Sequence, residues 1–103
     1  PGQCARKGKI LKAGLESLKA KYPEIIDDVR GVGLMLAVEF VTSDIGYSIA
    51  KGLFSRGVMT AGTLVNSKCI RFEPTAVITE EQIAAVIERM DAALADTKKE
   101  YNL

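Results

Sequence analysis

Arg71 stands between Ile70 and Phe72 in the stretch CIRFEP, which otherwise has the makings of a buried strand. By the two-residue period of a strand, Ile70 and Phe72 belong to one face, and Cys69, Arg71 and Glu73 to the other. Two chemistries suit a guanidinium in that place. It can close a cross-strand or neighbouring salt bridge, for instance with Glu73, which contributes little if exposed. Held on a rigid strand, it can instead grip a carboxylate through two parallel hydrogen bonds. Spacing alone favours the salt bridge.

Few other residues compete for a chemical role. The chain contains no histidine, which excludes Ser-His-Asp and Cys-His arrangements. Its two cysteines, Cys4 and Cys69, lie far apart, so neither a zinc site nor a disulfide framework is expected. Cys69 reads as a small packing residue. Gly31 and Gly33 in RGVGLM do not make a dinucleotide fingerprint: Leu36 occupies the place of the third glycine, and the glycines precede a strand where they should follow one. They read as a tight entry into that strand. Asp27 and Asp28 read as turn residues, and Glu80 and Glu81 as acids facing the positive end of a helix dipole. No lysine lies in an apolar setting that would depress its pKa towards nucleophilic use. No catalytic residue is assigned.

The 103 residues suit one compact domain. With 48% hydrophobic and 26% charged residues, the balance is that of an ordinary soluble globular protein. The net charge of +1 is scattered, tryptophan is absent, and no basic stripe carries interleaved aromatics, so nucleic acid is not an expected partner. No stretch approaches a membrane span and no secretory signal opens the chain. A cytoplasmic location is expected.

Several elements must position Arg71. Cys4, Gly8, Leu11, Leu15, Leu18 and Tyr22 recur at helical spacing, and Pro23 stops that helix. RGVGLMLAVEFV alternates as one strand, with Val32, Leu34, Leu36, Val38 and Phe40 on one face. Ser43 or Asp44 is placed to cap a short helix that turns Ile45, Ile49 and Leu53 inward, and Gly57 suits its left-handed end. VMTAG reads as a second strand, TLVNS as a loop, and CIRFEP as a third strand, antiparallel to the second if the loop closes as a hairpin. Thr79 and Gln82 form a capping-box pattern ahead of a last helix, with Ile83, Val86, Ile87, Met90 and Leu94 as its buried stripe. The tail KKEYNL is expected to fray. The expected fold is α+β: a small sheet of about three strands, partly antiparallel, with helices packed on one face.

DVRGVGLMLAVEF, IAKGLFSRGVMTAGTLVNSKCIRFEP and ITEEQIAAVIERMDAAL together resemble the C-terminal segment of class III pyridoxal-phosphate-dependent aminotransferases, fold-type I enzymes. The resemblance covers about Cys4 to Leu94 and is nearest to the putrescine or diamine-using branch. It implies a C-terminal small domain, residues 1–103, of a longer enzyme. That enzyme would move an amino group from an amine donor, putrescine favoured, to a 2-oxo acid such as 2-oxoglutarate. It further implies that Arg71, the arginine of the family's I-R-[FI]-x-P motif, binds the acceptor's α-carboxylate. The loop around Gly62, Thr63 and Asn66 is expected to line the approach to the cofactor. Pyridoxal phosphate itself is expected in a large domain outside this chain, so the chain alone should not transaminate. The full enzyme is expected to be a homodimer. Thr75 stands where family members often carry a second proline. The rival reading is a free-standing α+β binding or regulatory module that recognises a small carboxylate through Arg71.

Overall fold

The computed structural model describes residues 2–32, 35–57, 69–72 and 79–103, without the side chains of residues 2–5, 32, 35, 71 and 72. The element order is α1 (Gly2–Lys21), β1 (Ile26–Val32), β2 (Met35–Phe40), α2 (Ser43–Ser55), β3 (Cys69–Phe72) and α3 (Glu80–Glu100). The three strands form one sheet in the order β1-β2-β3, with both pairings antiparallel.

The first helix follows its apolar period. Leu11, Leu15 and Leu18 are buried, as is Tyr22 just beyond the last turn. Pro23 then enforces an exit, and the amides of Ile25 and Ile26 both donate to the Tyr22 carbonyl as the chain turns into β1.

Two expectations about the next stretch are corrected. RGVGLMLAVEFV is not one strand. Val32 pairs with Met35, so its first residues close β1 and its last ones form β2, two arms of a hairpin about residues 33 and 34. Gly31 has φ 131°, a backbone conformation that L side chains rarely adopt, which explains a glycine at that place in β1. Asp27 and Asp28 are not turn residues but lie within β1. The register shifts between Ile26 and Asp28, leaving Asp27 as the extra residue of a bulge. That bulge solves a spacing problem. Ile26 and Val29 are an odd number of positions apart, yet both are buried. A regular strand would send them to opposite faces.

The inward face of the sheet carries Val29, Leu36, Val38 and Ile70, all buried, with Ile26 paired to Phe40 at one end. Helix α1 packs on β1 and β2, α2 packs on β2 and β3, and α3 lies against α1 and α2. The observed fold is therefore the expected α+β arrangement of helices over a small antiparallel sheet. A Cβ at Gly14 would meet Ile87 Cδ1 at 2.7 Å and Cγ1 at 2.8 Å, so the glycine lets α1 and α3 approach closely.

Helix ends follow local chemistry. Thr42 caps α2, its Oγ1 accepting from the Ile45 amide at 3.2 Å, in the place expected for Ser43 or Asp44. Ile45, Ile49 and Leu53 are buried as expected, and Gly57 follows the helix with φ 81°. The capping box of α3 is complete. Thr79 Oγ1 accepts from the Gln82 amide at 3.1 Å, and Gln82 Oε1 accepts from the Thr79 amide at 2.8 Å. Ile83, Met90 and Leu94 are buried along α3, with Val86 and Ile87 packed beside them. The expected fraying is corrected too: α3 continues through Lys98, Lys99 and Glu100, and the Leu103 amide donates back to the Lys98 carbonyl. The proposed strand VMTAG lies outside the described residues.

Candidate functional site: the open face of the sheet

With the helices on one side, the residues that alternate to the other side of the strands form a second face. Two rungs cross it. Asp28 pairs with Glu39, and Glu39 with Cys69; Arg30 pairs with Ala37, and Ala37 with Arg71. Arg71 is thus placed on β3 in the rung of two half-buried or exposed neighbours, offset by one residue from the buried row Val29–Val38–Ile70. The strand period that singled out Arg71 holds in the backbone register.

Charges on this face are not independent. Arg30 Nη1 lies 3.4 Å from Asp28 Oδ2 and 3.6 Å from Glu39 Oε1. The hydrogen bond to Asp28 and then the charge of Glu39 raise the guanidinium's pKa further above its ordinary value. Lys19 Nζ approaches the other side of Asp28, 3.8 Å from Oδ1. Glu39 is the least exposed of these groups, its side chain 31% accessible. Cys69 is a free cysteine and half-buried opposite Glu39.

Arg30 and Arg71 occupy the two ends of one rung, with the small residue Ala37 between them. Glu73, the proposed neighbouring partner of Arg71, lies outside the described residues, as do Gly62, Thr63 and Asn66. Sequence reasoning did not connect Asp28, Arg30 and Glu39. The signal was present in the alternation of Asp28 and Arg30 around the apolar Val29, but the assignment of Asp27 and Asp28 to a turn hid it.

Helices packed over one face of a small antiparallel sheet, with charged residues on the face that no described helix covers, define an α+β module. A family model described as aminotransferase class-III matches residues 2–94, and the chain belongs to that family. It is 49% identical over 88 residues to a putrescine aminotransferase from Pectobacterium atrosepticum, a match that covers 85% of this chain and 19% of that protein. Among solved structures, a lysine aminotransferase from M. tuberculosis superposes with a TM-score of 0.85 at 28% identity, over 92% of this chain and 21% of that one. The omega transaminase from Pseudomonas jessenii, in complex with PMP, shares the fold with a TM-score of 0.83 at 24% identity, over 94% of this chain and 23% of that one. The chain therefore spans about a fifth of the length of these relatives.

Class III aminotransferases use pyridoxal phosphate, whose aldehyde needs a lysine amine in a sheltered site. The described residues do not fit that need. None of their lysines is buried, and Lys12, Lys19, Lys21 and Lys98 are engaged with a carbonyl or carboxylates at the surface. No described residue is assigned to the cofactor. Among the described residues, no helix is long and apolar enough to cross a membrane.

Proposed function

We propose that this chain is the C-terminal small domain of a pyridoxal-phosphate-dependent aminotransferase, and that Arg71 holds the carboxylate of its 2-oxo acid acceptor. In this reading a large domain of the same polypeptide carries the cofactor and the reacting amine. The small domain closes over it with the open face of its sheet. The amino donor is putrescine or a similar ω-amine, a preference supported by the 49% identity to a putrescine aminotransferase. The acceptor is a 2-oxo acid such as 2-oxoglutarate. The working enzyme is a cytoplasmic homodimer, and this chain alone is inactive.

The observation that carries the reading is the register of β3. It puts Arg71 in the rung of Ala37 on the face that no described helix covers. A paired strand fixes where an arginine leaves the backbone, and its planar fork matches a carboxylate with two hydrogen bonds. Its contribution is orientation: it fixes one end of the acceptor so that the oxo carbon meets the cofactor in one pose. It takes no part in proton transfer, because a guanidinium stays charged at any working pH.

The test is Arg71→Lys in the full-length enzyme. Lysine keeps the charge and loses the fork, so KM for the 2-oxo acid should rise about tenfold or more, the equivalent of one charge-assisted hydrogen bond. KM for the amine donor should stay within about twofold. Equal changes for both substrates, or none, would return Arg71 to a structural role.

A further inference from the structure

Glu39 is a carboxylate that register brings near Arg71. Ala37 is the residue opposite Arg71, and Glu39 follows two positions along β2, one diagonal away on the same face. Diagonal neighbours across an antiparallel pair lie about 7–8 Å apart, within reach of long side chains. An acidic side chain there competes with any carboxylate ligand for the arginine.

The same diagonal exists on the other side of β2. Arg30 is opposite Ala37, and Asp28 is opposite Glu39. On that side the bridge is made: Arg30 Nη1 lies 3.6 Å from Glu39 Oε1 and 3.4 Å from Asp28 Oδ2. Lys19 draws on Asp28 from beyond, at 3.8 Å. Glu39 on β2 is thus engaged from β1 by Arg30, and Asp28 by both Arg30 and Lys19.

We infer that Arg30 is a positioning residue that holds Glu39 away from Arg71 and so keeps the carboxylate receptor open to its ligand. This inference rests on the reading of Arg71 as that receptor. Arg30 touches neither substrate nor cofactor in this scheme. It acts by giving Glu39 a partner two strands away from the ligand. Removing Arg30 frees Glu39 to turn across β2, and the loss should be reversed by neutralising Glu39.

Binding of glutarate, an unreactive dicarboxylate, to the full-length enzyme is measured by calorimetry for four variants, with thermal melts to verify folding. Arg30→Gln should weaken glutarate binding by about two- to fivefold, the range expected of a surface ion pair. Adding Glu39→Gln to Arg30→Gln should restore it, which a merely structural role for Arg30 would not do. Failure of that rescue, or normal binding in Arg30→Gln while Arg71→Lys binds weakly, overturns the inference and leaves the receptor reading standing. Normal binding in Arg71→Lys overturns both. Glu39→Gln alone should bind at least as tightly as the parent, and weaker binding would count against the inference.

Discussion

Tyr22 donates a hydrogen bond to Asp91 at 2.7 Å, joining the end of α1 to the middle of α3. Lys21 Nζ reaches the same carboxylate at 3.0 and 3.1 Å. The Tyr22 ring is buried, and Lys21 and Lys98 lie 5.4 and 5.9 Å from its centroid. The bond to Tyr22 and then the Lys21 ammonium hold the Asp91 carboxyl below its usual range. Burial and then the bond to Asp91 push the Tyr22 phenol above its usual range.

Tyr22→Phe keeps the ring and removes only the hydroxyl. It should destabilise the chain by about 1–2 kcal/mol, the range for a hydrogen bond to a charged group at a partly exposed site. Chemical denaturation measures this directly. An unchanged midpoint would show that the phenol contributes packing alone.

The same cluster sets a pH dependence. A depressed Asp91 contributes stability that is present above its unfolded pKa of about 3.9 and is lost as pH falls through the lower folded value. A raised Tyr22 contributes stability that is present below about pH 10 and is lost as pH rises through its folded value. Melting temperatures followed from pH 6 down to pH 2 should therefore fall less in Asp91→Asn than in the parent. Parallel curves would remove Asp91 from the acid response.

At Gly14 a Cβ would come within 2.7 Å of the Ile87 side chain. Gly14→Val should cost about 1–3 kcal/mol, because the new side chain is driven into Ile87. Pairing it with Ile87→Ala opens that space, so the double variant should be more stable than the sum of the two single losses. Strict additivity, read from denaturation midpoints, would mean that the helices separate freely at this crossing.

The capping box of α3 gives a third handle. Thr79→Ala removes the hydroxyl that accepts from the Gln82 amide and should lower stability by about 1 kcal/mol. For a chain of this size that corresponds to a fall in Tm of roughly 4–8 °C. A Tm within a degree of the parent would mean that water replaces the cap without loss.

How far the sequence could be read depended on whether the deciding interaction was local. The α3 start was legible because Thr79 and Gln82 satisfy each other within one turn. The α2 cap was missed by one residue because Thr42, Ser43 and Asp44 are all competent caps, and only the chain's entry angle selects among them. The division into β1 and β2 was hidden by alternation that continues through Gly31 and Gly33 without a polar break. The Asp27 bulge was invisible because two adjacent aspartates have the composition of a loop. Arg71 was legible as a charge where a core strand expects none. The engagement of Arg30 with Glu39 was not, since it depends on the register of two strands, which no local pattern prints.

The spacing of the strands along the chain has a kinetic consequence. Only residues 33 and 34 separate β1 from β2, whereas residues 41–68 intervene before β3. Closing the long loop carries the larger entropy penalty, so the hairpin should dock with α1 first and β3 should add late. Pulsed hydrogen–deuterium labelling during refolding should find amides of β1 and β2 protected before those of β3, and simultaneous protection would reject that order. The strand bearing the proposed receptor would then be among the last parts to arrive, which makes acid-ligand recognition a sensitive reporter of whether refolding has finished.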